Sequence, residues 1–260
     1  MQSDSKSEHV EPCANSLFPL APITIIAGHY GVGKTNFSLN LAIDAAECGQ
    51  NVVLVDLDVV NPYFRSSDYT SLLEEGGVRV VAPIFAGLTL DSPSISGAVA
   101  TVIEDAIRQG AQANSSANSA AKTCVIIDAG GDDVGATALG RFAPRLNEGG
   151  YDMLYVINRY RNLTQTPEEA VQVLAEIEEK ARVKATGVVN NSHLKHDTDE
   201  DTILEALPFA NETARQLGLP LVCTAVPNGI VNRKSTLFSK SEGLQNVYPV
   251  QVYVRTPWGS

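Results

Sequence analysis

The sequence predicts an α/β fold in which a mostly parallel sheet is covered by helices on both faces. Short apolar runs alternate with stretches whose apolar residues recur at helical spacing. Two of these runs, which end at Asp56 and Asp128, are almost continuously apolar, as strands buried on both faces are. A glycine-rich turn joins the first apolar run to a helical pattern.

Composition and charge are consistent with one domain. The chain has 260 residues, 44% of them hydrophobic and 19% charged, which fits one α/β domain better than two. We expect residues 1–18 to form a flexible N-terminal tail and residues 19–260 to form a single domain. A net charge of −11 argues against a general nucleic-acid surface.

No apolar run is long enough for a transmembrane helix, and the N-terminus lacks the blocks of a signal peptide. We therefore expect a cytoplasmic protein. Its four cysteines form no CxxC pair and are expected to be reduced and mostly buried. They are Cys13, Cys48, Cys124 and Cys223.

Strands and helices alternate along the whole chain. We predict strands at residues 23–27, 51–56, 78–83, 122–128, 152–158, 185–191 and 220–226, and an edge strand of alternating valines over 250–254. We predict helices that end near Gly49, over 94–110, through about Arg145, from Thr166 onward and over 201–217. Thr166-Pro167-Glu168-Glu169 is a capping box with proline at the first helical position. Residues 112–121 are predicted to be a surface loop.

The turn after the first strand has the pattern of a phosphate-binding loop, Gly28-His29-Tyr30-Gly31-Val32-Gly33-Lys34-Thr35. The backbone N–H groups of such a loop wrap a polyphosphate, and the following helix presents the positive end of its dipole. Lys34 is expected to reach the outer phosphates and Thr35 to ligate Mg²⁺. Asn36 completes the predicted cofactor-binding loop.

Acidic residues follow two of the predicted strands, at the sheet edge where α/β proteins bind ligands. Asp56 and Asp58 point to the same side of an extended chain, so one can position water while the other holds Mg²⁺ through water. The alternative is that Asp56 caps a turn and Asp58 is solvated. Residues 125–128 form a Walker B strand whose Asp128 can hold Mg²⁺ through water. The following glycines make this turn, which includes Asp132, a candidate switch or a tight structural turn.

Polar residues after two later strands are candidates for contact with the base. Guanine-specific P-loop proteins usually carry an Asn-Lys-x-Asp pattern, and here Asn190-Asn191 is followed by neither Lys nor Asp. Because an asparagine amide can both donate to and accept from adenine, ATP is favoured over GTP and Asn191 is the predicted contact. The alternative is that these asparagines form a turn. Pro227 and Asn228 end the next strand and can face the base or form a turn.

The ordered motifs GHYGVGKT, VDLD, IIDAGGDD, VVNNS and AVPN resemble the CobQ/CobB/MinD/ParA nucleotide-binding family over about residues 23–232. This resemblance to SIMIBI-class P-loop ATPases implies a three-layer P-loop NTPase fold that binds ATP and Mg²⁺. It implies that Asp58 is the first-switch carboxylate near the attacking water and Asp132 a second-switch residue. The switch pattern is most similar to that of the nitrogenase iron protein, and longer blocks resemble an uncharacterised bacterial branch of ATP-binding proteins.

The sequence departs from the family pattern at three places. His29 stands where the family has a signature lysine, and histidine is shorter and largely neutral at pH 7, which weakens the case for hydrolysis across a dimer. Arg65 or Arg141 can supply the missing charge, and the alternative for each is an ordinary surface or helix residue. Gly135 stands where the iron protein has a cluster cysteine, so an iron–sulfur cluster is not expected. The C-terminus has no basic amphipathic helix for membrane binding.

The leading expectation is a cytoplasmic nucleotide-controlled switch with weak Mg²⁺-dependent ATPase activity, with Lys34, Asp58 and Asp132 as catalytic residues. The alternative is an ATP-dependent small-molecule kinase or ligase of the CobQ/CobB/dethiobiotin-synthetase type. A non-hydrolysing scaffold is a third reading. The expected partner is an unidentified protein, by analogy a redox enzyme, and the resemblance allows a homodimer. Neither nucleic acid nor a membrane is expected.

Overall fold

The computed structural model describes residues 20–57, 69–82, 93–113, 123–231, 244 and 246–253. Within these ranges, eight parallel strands form one sheet in the order β3-β2-β4-β1-β5-β6-β7-β8. The strands are β1 (Ile23–Ala27), β2 (Asn51–Asp56), β3 (Arg79–Val81), β4 (Thr123–Asp128), β5 (Asp152–Ile157), β6 (Gly187–Asn190), β7 (Leu221–Pro227) and β8 (Val247–Val250). The helices are α1 (Lys34–Glu47), α2 (Thr70–Glu75), α3 (Pro93–Ala113), α4 (Asp133–Gly140), α5 (Ala143–Gly149), α6 (Pro167–Ala181), α7 (Glu200–Leu217) and α8 (Asn228–Val231).

The sheet is buried on both faces, which explains its continuously apolar strands. In β1, Ile23 and Ile25 pack in the core cluster that contains apolar residues of α3 to α7. Ile26 points to the opposite face and packs in the cluster formed with α1 and α2. Helices therefore lie on both sides of the sheet, and the predicted three-layer α/β fold is confirmed.

The first strand lies at the centre of the sheet. It pairs in parallel with β4 on one side, where Ile23 is opposite Val125, and with β5 on the other, where Thr24 is opposite Asp152. All strand pairs within the described ranges are parallel, so their carboxyl ends lie at one edge. This edge carries the loops in which the candidate site residues were predicted.

Most element boundaries agree with the sequence predictions to within a few residues. The capping box of α6 is confirmed: Thr166 accepts from the Glu169 N–H, and the Glu169 carboxylate accepts from the Thr166 N–H. The edge strand predicted over 250–254 is wrong in position: β8 spans Val247–Val250, so only Val250 is shared, and residues 251–253 follow the strand. The predicted N-terminal tail, most of the 112–121 loop and residue 254 lie outside the described ranges.

The helix predicted through Arg145 is wrong, because two helices, α4 and α5, occupy this stretch. Gly140 ends α4 against the C-terminus of α6, where a Cβ at this position would lie 2.6 Å from the carbonyl oxygen of Lys180. The guanidinium of Arg182 donates to the Gly140 carbonyl. These contacts with α6 fix the chain where the helix is interrupted.

The cysteines of the described ranges, Cys48, Cys124 and Cys223, form no disulfide. Burial raises the pKa of both Cys124 and Cys223 to about 12, so these thiols are unreactive at neutral pH. Cys13 lies outside the described ranges. Within those ranges, every helix is too short or too polar to cross a lipid bilayer.

Candidate functional site

The predicted phosphate loop connects the carboxyl end of β1 to the first residue of α1. Gly28, Gly31 and Gly33 have φ angles of 154°, 77° and 95°, which residues with a side chain rarely adopt. Gly33 is the N-cap residue of α1, and no side chain of the described residues caps this helix end. The N–H groups of the first turn of α1 therefore face the loop, as an anion site at a helix N-terminus requires.

Lys34 lies across this loop rather than in solvent. Its side chain is buried, and Nζ donates to the carbonyl oxygen of His29 at 3.0 Å. The glycine-rich turn after β4 lies directly against the same atoms. A Cβ built on Gly131 would lie 2.5 Å from Lys34 Nζ and 2.7 Å from the backbone nitrogen of Tyr30. The candidate switch turn and the phosphate loop are thus in contact.

Two carboxylates lie side by side next to the loop. Asp56 and Asp128 end neighbouring strands in register, and each is 1% exposed. The Ser38 hydroxyl of α1 donates to Asp128 Oδ1 at 3.3 Å. Thr35 precedes Ser38 by three residues on α1, so both hydroxyls lie on the same helix face. Asp58, the other predicted carboxylate, lies outside the described ranges.

The Thr35 hydroxyl and the Asp128 carboxylate are oxygen donors of the kind that Mg²⁺ prefers, together with water. Among the described residues, no group of three or more His, Cys, Asp or Glu side chains is arranged to hold a metal. A magnesium ion here would therefore depend on phosphate oxygens as further ligands, in agreement with its usual binding through one or two protein groups.

Asp132, the predicted second-switch residue, is the N-cap of α4, where Oδ1 accepts from the Gly135 N–H at 2.8 Å. The sequence predicted a catalytic role, which stays a prediction; the structure adds a capping role. Gly135 also packs against Gly130, and a Cβ at position 135 would lie 2.3 Å from the Gly130 Cα. Position 135 therefore has no room for a cysteine side chain.

The histidine at the signature-lysine position and Arg141, one of the two arginines expected to replace the lysine charge, lie in different parts of the molecule. His29 is half-buried, and burial together with the Lys34 ammonium lowers its pKa, while Glu176 opposes this shift. The imidazole is accordingly neutral at pH 7. Arg141 is exposed and is the C-cap residue of α4, at the end of the helix opposite Asp132. Arg65 lies outside the described ranges.

The side chains of two predicted nucleotide contacts, Asn191 and Asn36, form hydrogen bonds to other segments of the protein. Asn191 is 2% exposed, its Nδ2 donates to the Val32 carbonyl at 2.7 Å, and its Oδ1 lies 3.0 Å from His193 Nε2. Asn36 Nδ2 donates to the Gln251 carbonyl at 3.0 Å, and its Oδ1 accepts from the Tyr253 N–H at 2.8 Å. Asn191 thus holds the phosphate loop, and Asn36 holds residues 251–253. Contact of either asparagine with a nucleotide stays a prediction.

A cavity of about 180 Å³ opens beside the carboxyl ends of β7 and β8. Pro227 and Asn228, which the sequence predicted as candidate contacts to the base, both line this cavity. Three further lining residues, Lys195, His196 and Thr198, follow β6 and were not predicted as site residues from the sequence. Its lining is Lys195, His196, Thr198, Pro227, Asn228, Gly229, Ile230, Val250, Gln251 and Val252.

A sequence model of the CobQ/CobB/MinD/ParA nucleotide binding domain matches residues 23–203, from the start of β1 into α7. The chain belongs to this family. The resemblance predicted from the motifs is therefore confirmed, and the protein is a P-loop nucleotide-binding protein of the MinD/ParA class. The predicted ligand, ATP with Mg²⁺, is confirmed only as far as nucleotide binding.

Two further similarities concern a short stretch of the sequence and the fold. The chain is similar to the antiactivator FleN of Pseudomonas aeruginosa, with 46% identity over 44 residues, which are 17% of this chain and 16% of FleN. The fold is similar to that of the signal recognition particle 54 kDa protein of Aeropyrum pernix, solved in complex with GDP. The TM-score is 0.52 at 17% identity, over 83% of this chain and 43% of that one. The chain thus spans less than half of either protein.

Proposed function

We propose that this protein is a cytoplasmic nucleotide-controlled switch that binds ATP with Mg²⁺ and hydrolyses it slowly to ADP and phosphate. The observation that carries the proposal is the contact of Gly131 with Lys34 and Tyr30. A γ-phosphate held by Lys34 would occupy the space beside this turn. Because the turn leads into α4, gain or loss of that phosphate would move the start of α4.

Magnesium would be held by the Thr35 hydroxyl and, through water, by Asp128. When bound, the ion neutralises charge on the phosphate oxygens. The chain's own residues orient these ligands: Ser38 donates to Asp128 and fixes its carboxylate. The loop N–H groups and Lys34 would hold the phosphates, and Asp58 or Asp132 would position the attacking water. The buried Asp56 lies beside Asp128 in the sheet.

The cavity beside β7 and β8 supports a place for the base. Its volume of about 180 Å³ suits one ring system better than a drug-sized ligand, which occupies roughly 300 Å³ or more. Asn228 and Gln251 bring amide and backbone groups that can donate and accept. The absence of an Asn-Lys-x-Asp pattern from the sequence supports adenine over guanine.

A protein partner at the carboxyl edge is supported by exposed apolar side chains. Tyr30, Val134, Leu163 and Leu194 are 54%, 48%, 59% and 37% exposed. They follow β1, β4, β5 and β6, which are neighbours in the sheet. Large apolar side chains concentrated beside a ligand site mark an interaction surface. We propose that a second protein, either another copy of this chain or a redox enzyme, binds this edge when ATP is present.

Nucleotide binding and phosphate release by purified protein test the proposal. We expect ATP to bind more tightly than GTP, slow Mg²⁺-dependent release of phosphate, and loss of binding in Lys34→Ala. Lys184→Ala is the matched control, because Lys184 is an exposed lysine paired with Glu178. Sedimentation with ADP and with a non-hydrolysable ATP analogue tests for a nucleotide-dependent homodimer.

Other outcomes decide between the readings. If neither ATP nor GTP binds, or if Lys34→Ala binds as well as the wild type, the proposed function is wrong. Tight binding with no phosphate release would indicate a scaffold. ADP formation that requires a small metabolite would favour the kinase or ligase alternative.

A further inference from the structure

A chain of hydrogen bonds connects the cavity wall to the phosphate loop. The Lys195 N–H donates to His193 Nδ1 at 3.1 Å, and Lys195 also lines the cavity. His193 Nε2 lies 3.0 Å from Asn191 Oδ1, and Asn191 Nδ2 donates to the Val32 carbonyl at 2.7 Å. His193 and Asn191 are 4% and 2% exposed, so water does not compete for these contacts.

The direction of every bond in this chain is determined by its two ends. The Val32 carbonyl can only accept, so Asn191 must present its NH₂ group there and its oxygen to His193. The Lys195 N–H can only donate, so His193 Nδ1 must accept. Both ends therefore require the neutral imidazole with its proton on Nε2. Burial lowers the pKa of His193 to about 4, which keeps the ring neutral at physiological pH.

The last bond of the chain sets the orientation of one peptide group in the phosphate loop. In a trans peptide the C=O of one residue and the N–H of the next point in opposite directions. Because the Val32 carbonyl points toward Asn191, the Gly33 N–H points away from it, on the side of the loop where a phosphate would bind. Asn191 also packs directly on this peptide, since a Cβ at Gly33 would lie 2.3 Å from Asn191 Nδ2.

We propose that His193 is a positioning residue for the phosphate loop: it orients the Asn191 amide, which holds the Val32–Gly33 peptide with its N–H directed at the phosphates. This inference rests on the proposed nucleotide binding. It assigns to Asn191 a role at the phosphates in place of contact with the base. Through Lys195, the same hydrogen bonds link the base cavity to the phosphate loop.

Two substitutions of His193 separate positioning from packing. His193→Gln keeps a donor near the place of Nε2 and can still orient Asn191, whereas His193→Asn keeps polar atoms only near the place of Nδ1. Both remove the ring. We expect His193→Gln to bind Mg-ATP like the wild type and His193→Asn to bind about tenfold more weakly, in line with the loss of one hydrogen bond in a buried network. Equal affinities in the two variants would refute the positioning role.

The tautomer of His193 tests the same inference without nucleotide. Long-range ¹H–¹⁵N spectra of the free wild-type protein should show a neutral ring protonated at Nε2 from pH 6 to 8. A ring protonated at Nδ1, or charged at pH 7, would refute the chain of hydrogen bonds whatever the protein binds. If the tautomer is as expected and no nucleotide binds to the wild type, the proposed function fails, and the positioning of phosphates fails with it.

Discussion

The hydroxyl of Tyr248 donates a 2.5 Å hydrogen bond to Asp44 Oδ2, joining β8 to α1. Burial and the neighbouring Asp44 carboxylate raise the pKa of Tyr248, so the phenol stays protonated. The Tyr248 ring also packs edge-on against Phe37 of α1, with the ring centroids 5.4 Å apart. The helix that begins at Lys34 therefore holds the edge strand of the sheet.

Asn40→Ala is expected to loosen the segment that follows β8. Asn40 Oδ1 accepts from the Gln251 N–H at 2.7 Å, and its Nδ2 donates to the Gln251 carbonyl at 2.9 Å. Loss of both partners should lower the free energy of unfolding by about 1–3 kcal/mol and speed hydrogen exchange of the Gln251 amide. Urea unfolding and exchange by NMR measure these changes.

Asn211→Ala is the control for that experiment, because among the residues that the structure describes its amide donates within α7, to the Leu207 carbonyl. We expect a smaller change in stability and unchanged exchange at Gln251. If both variants leave the Gln251 amide equally protected, Asn40 does not hold the segment.

Gly135→Ala is expected to destabilise the start of α4. The added Cβ would lie within 3 Å of three backbone atoms of Gly130, which cannot move aside as a flexible side chain can. Overpacking of this kind costs about 1–3 kcal/mol. The melting temperature and the affinity for ATP should both fall, because the displaced turn includes Gly131.

Gly97→Ala in α3 is the matched control, since a Cβ there meets no atom of the described residues within 4 Å. It should raise stability by about 0.5–1 kcal/mol through the better helix propensity of alanine. A Gly135→Ala protein as stable as the wild type would show that the turn can rearrange freely.

Thr166→Ala is expected to lower the free energy of unfolding by about 1 kcal/mol by removing the cap of α6. Chemical denaturation measures this loss. Thr101→Ala in α3 is the comparison: within the described ranges, the Thr101 hydroxyl donates to the Gly97 carbonyl of its own helix and to no other element. That variant should be neutral or slightly stabilised, and an equal loss in both would contradict the capping role of Thr166.

His193 should make stability depend on pH. Its pKa is about 4 in the folded protein and 6.5 for the ordinary imidazole, so between these values the unfolded chain binds a proton that the folded protein does not. The free energy of unfolding therefore falls as pH decreases from 6.5 toward 4, by at most about 1.4 kcal/mol per pH unit, and this contribution stops changing below pH 4.

Urea unfolding of the wild type and His193→Gln between pH 4.5 and 7.5 measures this contribution. The wild type should lose stability relative to the variant as the pH is lowered. His196→Gln, which removes an exposed histidine in place of the buried one, is the matched control. Parallel curves for the wild type and His193→Gln would contradict the expected pKa.

The sequence was sufficient to predict strands β1 to β7 and the contacts between residues at the ends of neighbouring strands. Asp56 and Asp128 end apolar runs, and parallel pairing necessarily brings such ends together at one edge. The direction of the asparagine side chains could not be predicted in this way. The partner of Asn191 is 159 residues away in the sequence and that of Asn36 is 215 residues away. These contacts depend on how distant segments pack.

The interruption between α4 and α5 was missed although the sequence carries a local signal for it. Apolar spacing continues through this stretch, and Leu139, Phe142 and Leu146 are all buried in the same core cluster. Pro144, however, has no N–H to donate to the Gly140 carbonyl, and it stands in the first turn of α5, where proline is typical of a helix start. The Gly140 carbonyl accepts from Arg182 instead, a contact that depends on the packing of α6.

The attachment of residues 251–253 to α1 bears on how variants of this segment should be interpreted. Gln251 and Tyr253 hydrogen-bond to asparagines in the first two turns of the helix that starts with Lys34. A substitution that loosens these residues therefore also acts on the helix that follows the phosphate loop. A fall in nucleotide affinity in such a variant would not by itself place Gln251 or Tyr253 in the binding site.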